Sequence, residues 1–459
     1  MKLNRLILDN FRSHRHLDLD FEHDVTVLVG DNGEGKTSVL DAISQVFGRF
    51  LSKLPGITGI ALSETDLRII SNKRKAPALR IWLEMNIETE AKYLKDLDER
   101  IVPTLYASRG KLRDKSPKTL ATFAAECPVP VRGRGGQKEI DRLADAVVAA
   151  DVDEIEYQMP LIVYYGTDRA VFETPLRRRN FRTQFGRFDC MSGALNANAN
   201  FKRVFEWFHA KETEEVLEQR DRRSFEYRDP ELEVVRRAIE NFFDNFKNPR
   251  TVLRPLRFVV DKKESDTRTI TYDLNQLSDG YRTTLAMVAD LACRMVEANP
   301  PDVVDDPLET EAIVMIDEVD LHLHPRWQQK ILPDLVKVFP KTQFIVTTHS
   351  PQVLTTVESR SIRKLVPTAE ETLVEVPDFS LGAKSTQLLE DIQEVDARPK
   401  LPIIDSLNRY RNLVESDLWD STEALQLRNE LDKWAANKEP ELKKIDVDIK
   451  MRAFRRGKK

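Results

Sequence analysis

The sequence predicts an α/β fold: a mixed β-sheet core with flanking helices and an antiparallel N-terminal sheet, carrying a mainly helical insertion and closing on C-terminal helices. Three observations carry this reading. The apolar strand Val25–Val29 runs directly into Gly30-Asp31-Asn32-Gly33-Glu34-Gly35-Lys36-Thr37, a phosphate-binding loop of the form GxxxxGK[ST] that opens a helix. A second apolar strand, Ala312–Ile316, ends in Asp317-Glu318, and a third, Gln343–Thr347, ends in Thr347-Thr348-His349-Ser350. Strands that alternate with helices and place polar motifs at their ends are the pattern of a nucleotide-binding sheet.

The elements follow in chain order. Lys2–Leu8 and His16–Phe21 alternate apolar and polar residues, as strands with one buried face do. Thr37–Phe47 places Val39, Leu40, Ile43, Val46 and Phe47 at helical spacing, and Leu79–Ile87 alternates again. Between Ala91 and Asp153 the composition loosens around Pro103, Pro117, Pro128 and Pro130, which reads as an inserted, partly irregular helical segment. Pro160–Tyr165 returns to a buried strand. Helical patterns run from Phe201 to Phe246, broken at Pro230, and the strands Arg254–Val260 and Thr269–Leu274 lead into Leu277-Ser278-Asp279-Gly280. The helix Thr283–Ala298 stops before Pro300-Pro301, because proline cannot continue it. Beyond Leu381 charged helices take over. The expected organisation is residues 1–90 for the first half of the core, 91–250 for the insertion (with core strand 160–165), 251–380 for the second half and 381–459 for a helical partner-docking region.

Composition narrows the class. Charged residues are 32 % and hydrophobic ones 41 %, the balance of a folded, water-soluble chain. A net charge of −5 rules out a globally basic nucleic-acid binder, while leaving local patches open. Cys127, Cys190 and Cys293 lie far apart with no CxxC pair, so neither a zinc site nor a disulfide framework is expected, and a reducing cytoplasm fits. No run of 18 apolar residues occurs, so no membrane span is expected.

The motifs specify chemistry. Gly30, Gly33 and Gly35 let the loop present backbone N–H groups to phosphates at a helix start, with Asn32 and Ser38 on its rim. Lys36 is expected to reach the β- and γ-phosphates of ATP, and the Thr37 hydroxyl to bind Mg²⁺. Asp317 completes the Mg²⁺ shell, and Glu318 orients or deprotonates the attacking water. His349 stands where it could sense the γ-phosphate. The backbone and hydroxyl of Ser278-Asp279-Gly280 at a helix N-terminus form a second anion site. One chain already has its own phosphate loop, so this second site predicts a head-to-tail dimer, or a higher oligomer, with ATP sandwiched between subunits.

Together these motifs resemble the ABC-type P-loop ATPases of the Rad50, SMC, RecF and OLD group. Asn10-Phe11-Arg12-Ser13-His14 is similar to that group's opening, and the resemblance implies that Arg12, with Ser13, contacts nucleotide phosphate. It also implies that Ser278, Asp279 and Gly280 act in trans, with Asp279 replacing the second glycine of LSGGQ. No glutamine is assigned to the Q-loop. The span from Gly35 to Leu277 is too short for a long coiled coil. Within the group, Tyr164–Arg169, the Asp317–Pro325 run, Thr348-His349-Ser350-Pro351 and Gly382-Ala383-Lys384-Ser385 resemble the ATPase subunits of Septu antiphage systems, including those beside retrons. That resemblance implies a separate HNH endonuclease partner, held and regulated by the ATPase, with a retron reverse transcriptase and its RNA as further candidates. A repair ATPase of RecF or Rad50 type that clamps DNA, and a nucleotide sensor with negligible turnover, are the competing readings.

Three further features are ambiguous in sequence alone. Arg177–Arg187 and Arg132-Gly133-Arg134 are either DNA or RNA phosphate contacts or a solvated surface. The stripe Leu401, Ile403, Ile404, Leu407, Tyr410 and Leu413 either docks a partner or packs on the chain's own core. Asp446-Val447-Asp448 has the spelling of a nuclease DxD but sits in a charged tail without a strand context.

Overall fold

The computed structural model describes residues 1–71, 74–87, 104–114, 137–170, 181–182, 184–196, 201–265, 268–435 and 438–456. They form two compact units, Met1–Gln393 and Glu394–Lys459.

The first unit is organised by one sheet of ten strands. β1 (Lys2–Phe11) and β2 (His14–Asp20) form an antiparallel hairpin with Leu6 opposite Leu19 and Leu8 opposite Leu17, so their alternation buries one face. β3 (Val25–Val29) is buried along its whole length. A short hairpin of β4 (Ile69–Ser71) and β5 (Arg74–Lys75) precedes β6 (Ala78–Asn86), which pairs with the other edge of β1. β7 (Thr104–Leu112) pairs antiparallel with β6 along nine residues. This strand lies in the segment expected to be partly irregular and mainly helical: Leu105 and Ala107 alternate inward and complete the edge that β6 would otherwise expose. The first described helix of the insertion is Gln137–Val152, which packs against β7.

β8 (Leu161–Tyr165), β12 (Ala312–Ile316) and β13 (Thr342–Thr347) are fully buried, and β13 pairs in parallel with both β3 and β12. A parallel sheet covered on both faces reads as continuous apolar sequence, which is why these strands were legible as runs. β14 (Ile362–Pro367) and β15 (Thr372–Glu375) complete the order β7-β6-β1-β2-β15-β14-β3-β13-β12-β8. The carboxyl ends of β3, β8, β12 and β13 therefore come together, and the motif loops leave from them.

A separate meander consists of β9 (Phe246–Leu253), β10 (Leu256–Ser265) and β11 (Arg268–Asp273). The expected helix to Phe246 stops instead at Phe242, and Phe246 starts the strand that pairs with β10.

The helices used below are α1 (Lys36–Leu51), α2 (Gln137–Val152), α3 (Phe201–Arg222), α4 (Pro230–Phe242) and α5 (Asp279–Ala298). Pro230 does not break a helix but begins one: Asp229 caps α4 by accepting from the Leu232 N–H at 2.8 Å, and Pro230 has no N–H to satisfy. α6 (Pro325–Gln328), α7 (Ile331–Val338), α8 (Pro351–Leu354) and α9 (Ser385–Asp391) complete this unit.

The second unit is a three-helix assembly of α10 (Pro402–Glu415), α11 (Thr422–Trp434) and α12 (Pro440–Arg456). Its core contains Leu407, Tyr410, Val414, Leu431, Leu442 and Ile445. Ile403, Leu407, Tyr410 and Leu413 thus pack in this core, Ile404 is buried, and only Leu401 of the expected stripe stays exposed. Asp446 pairs with Arg428, and Asp448 with Arg452 at 2.8 Å, so both act as helix-surface ion pairs.

Arg132-Gly133-Arg134 and residues 177–180 of the basic cluster lie outside the described residues. Of the rest, Arg182 pairs with Asp189 at 2.9 Å. Arg187 lies 3.8 Å from the centroid of Tyr157 and donates to the Ala298 carbonyl at 2.8 Å, so it is a structural cation.

Candidate nucleotide site

The loop between β3 and α1 is shaped by two residues in the left-handed region, Gly33 (φ 91°) and Gly35 (φ 92°), where a side chain would be strained. Gly35 also has no room for one. An added Cβ would lie 2.4 Å from Ser13 Oγ and 2.3 Å from His14 Nε2. Ser13 therefore braces the loop, while Asn32 and Thr37 are exposed and Lys36 and Ser38 are buried.

Lys36 Nζ donates to the carbonyls of Gly30 at 2.7 Å and Asp31 at 2.9 Å, so the ammonium is folded back across the loop. Burial lowers its pKa, and the carboxylates of Glu34, Asp317, Asp31 and Glu318 oppose that shift. A cation ringed by four carboxylates at a helix N-terminus is suited to a polyanion that also brings a cation.

Thr37 Oγ1 donates to Asp317 Oδ2 at 2.8 Å, joining the start of α1 to the end of β12. The other carboxylate oxygen of Asp317 accepts from Thr347 Oγ1 at 2.6 Å, and Thr347 in turn accepts from the Glu318 N–H at 2.7 Å. Glu318 has φ 48°, an unusual left-handed conformation for a glutamate, which turns it away from the strand path that Asp317 follows. His349 is exposed beyond β13, with its carbonyl accepting from Gln393 Nε2 at 2.8 Å. Thr348 donates to Asp320, fixing the loop that follows Glu318. An exposed hydroxyl next to a carboxylate at a phosphate loop is the hard-oxygen donor set that Mg²⁺ takes, in ones and twos, alongside phosphate oxygens and water. The residues present fit that ion.

Arg12 has φ 48°, and carboxylates flank its side chain on both sides. Its Nε donates to Asp66 at 3.0 Å, and its guanidinium pairs with Asp41 on α1. Burial raises the pKa of Asp41, against the pull of Arg12 and a hydrogen bond from Tyr164.

Ser278 is the N-cap of α5 and makes no side-chain capping bond; it and Asp279 are exposed, and Asp279 pairs with Arg282. Gly280 is buried where a Cβ would meet the His322 carbonyl at 2.7 Å, so the helix start is seated on the loop after β12. Tyr281 packs on Trp327 with centroids 4.8 Å apart, and Phe243 on Trp327 at 5.5 Å, which fixes the same corner. Further along α5, Arg294 donates to Asp290 at 2.7 Å and Arg203 of α3 pairs with Glu297. Among the described residues, no hydrogen bond or ion pair joins Ser278, Asp279 or Gly280 to the phosphate loop. The structure thus assembles Lys36, Thr37, Asp317 and Glu318 into one site, with Ser278 and Asp279 exposed at the start of α5.

Two residues escaped the sequence reading. His14 Nε2 lies 3.1 Å from the Gly35 carbonyl and Nδ1 lies 2.9 Å from Thr372 Oγ1, so Nε2 carries the proton and the threonine hydroxyl donates to Nδ1. Burial lowers the His14 pKa, which keeps the ring neutral. Thr347 bridges Asp317 and Glu318. The only available signals were their places inside motifs chosen for their neighbours.

Sheet, phosphate loop and acidic strand end together define a P-loop ATPase head. An AAA domain family matches residues 5–247, and a second AAA domain family, described with a type IV toxin–antitoxin system, matches residues 188–355. The chain belongs to the AAA domain family and is an ATPase. It is 27 % identical to the Retron Ec83 probable ATPase of Escherichia coli, across 97 % of this chain and 86 % of that one. It is 26 % identical to the Retron Vc95 probable ATPase of Vibrio cholerae, across 74 % and 69 %. A local stretch, 17 % of this chain and 10 % of the other, is 49 % identical to the Septu protein PtuA of Bacillus mycoides.

Proposed function

We propose that this chain is the ATP-binding and ATP-hydrolysing subunit of an antiphage defence complex, and that its ATP-bound oligomer holds and regulates a separate HNH-type nuclease. The observation that carries the nucleotide half is the Thr37–Asp317 contact, which places a hydroxyl and a carboxylate side by side under the phosphate loop. Similarity to retron ATPases along nearly the whole chain supports the defence setting.

In this reading the loop N–H groups and Lys36 hold the phosphates of ATP, with Arg12 and Ser13 at the rim. Thr37 and Asp317 hold Mg²⁺, which when bound neutralises charge on the β- and γ-phosphates. Glu318 aligns the water, and His349 faces the γ-phosphate. Ser278, Asp279 and Gly280 serve the nucleotide of a second copy; the exposure of Ser278 and Asp279 in one copy supports an intersubunit role. A retron reverse transcriptase with its RNA is a further proposed partner, and the cytoplasm the proposed compartment. Among the described residues no helix is long and apolar enough to cross a membrane.

The test is a tagged pull-down from the native operon with and without ATP. Recovery of a small HNH protein at fixed stoichiometry is the expected result. Recovery of the ATPase alone, with ATP-dependent duplex binding, favours a repair-type clamp.

A further inference from the structure

Strand β8 ends in two tyrosines that point to opposite faces of the sheet, as successive strand residues must. Tyr165 faces α5, where its hydroxyl donates to Asp290 Oδ2 at 2.8 Å. Tyr164 faces the other way, toward the side of the sheet that α1 covers. In the parallel pairing of β8 with β12, Tyr164 lies opposite Met315, two residues before Asp317 and therefore on the Asp317 side of the sheet. Asp41 follows Thr37 by one helical turn, so both project from the same face of α1. Tyr164 and Asp41 thus stand on the side of the sheet where Thr37 meets Asp317.

Mg²⁺ dehydrates reluctantly and keeps several waters when few protein ligands are offered. Thr37 and Asp317 supply two oxygens, so the remaining waters need acceptors. We propose that Asp41 and Tyr164 are the outer-sphere acceptors that position the Mg²⁺ waters at this site, a role for positioning residues that rests on the nucleotide-site reading above. In this arrangement the carboxylate of Asp41 accepts from Arg12, from the Tyr164 hydroxyl and from a water. The Tyr164 oxygen donates its proton to Asp41 and keeps a lone pair for a second water. Arg12, clamped by Asp66 on its far side, fixes the orientation of Asp41.

The test measures nucleotide affinity of the full chain by fluorescence, first in EDTA and then across a Mg²⁺ series, for Tyr164→Phe, Asp41→Asn and Thr37→Ala. Tyr164→Phe keeps the buried ring and deletes only the hydroxyl, while Asp41→Asn keeps the shape and deletes the charge. Outer-shell changes cost roughly 10–100-fold in metal affinity. Tyr164→Phe and Asp41→Asn are therefore expected to raise the half-saturating Mg²⁺ concentration about tenfold or more, with affinity in EDTA unchanged in Tyr164→Phe. A Thr37→Ala shift alongside wild-type Mg²⁺ dependence in both other variants overturns this proposal alone. Unchanged Mg²⁺ dependence in Thr37→Ala as well overturns the site reading and this proposal with it.

Discussion

Thr37 Oγ1 and Asp317 Oδ2 lie 2.8 Å apart although they are separated by most of the chain, and that contact closes the phosphate loop onto the acidic strand end. It exists because β13 pairs in parallel with both β3 and β12, which aligns the loop after one with the carboxylate after the other. The site is therefore a product of sheet order.

Lys36→Ala removes the only ammonium inside the loop and leaves Glu34, Asp317, Asp31 and Glu318 without its charge. ATP binding should be lost, a fall of at least 100-fold on the order of a buried charge contact. Calorimetric titration checks this, and near wild-type affinity would remove the phosphate-loop argument.

Glu318→Gln keeps the side-chain shape and the backbone N–H that donates to Thr347, but deletes the carboxylate proposed as general base. Binding of ATP should persist while turnover falls by roughly 10²–10⁴-fold. Single-turnover hydrolysis is the readout, and unchanged turnover would discard the role given to Glu318.

Gly280→Ala introduces a Cβ 2.7 Å from the His322 carbonyl, a backbone atom that cannot rotate away. Overpacking of this kind costs about 1–3 kcal/mol. A lower melting temperature is expected, together with impaired hydrolysis, because α5 and the loop after Glu318 must separate. A variant with wild-type melting and turnover would show that this seat is unimportant.

Glu212 gives a pH signature outside the nucleotide site. Burial pushes its pKa up to about 7, against hydrogen bonds from Thr251. A carboxyl whose folded pKa lies above its unfolded one favours the protonated state, so its contribution is complete below the unfolded value of 4.5 and is lost as pH rises through about 7. Glu212→Gln, which cannot ionise, should therefore gain stability relative to the parent between pH 5 and pH 8, on the order of 2 kcal/mol. Thermal melts at the two pH values measure it; equal differences at both would refute the assignment.

What the sequence disclosed and withheld follows from where the forces lie. β3, β8, β12 and β13 are covered on both faces, so burial wrote them as apolar runs, and Lys36, Thr37, Asp317 and Glu318 stand at their ends. β7 and β9 are different. Arg109 and Lys111 in β7, and Lys247 and Arg250 in β9, carry polar sequence whose extended state is imposed by pairing with β6 and β10. His14 acts on the phosphate loop only through Gly35 and a threonine at position 372, a contact no local pattern encodes. The α10 stripe had the spacing of a docking face, and the same spacing serves the core of its own unit. Periodicity identifies a buried face without saying what buries it.

The most direct test of the central claim is the mass in solution of the Glu318→Gln chain, with and without Mg²⁺–ATP, beside a chain that also carries Ser278→Arg. The account predicts that nucleotide drives the Glu318→Gln chain into a dimer or higher oligomer, and that Ser278→Arg prevents this while leaving ATP binding intact. A mass that does not respond to ATP, or an assembly indifferent to Ser278→Arg, would contradict it.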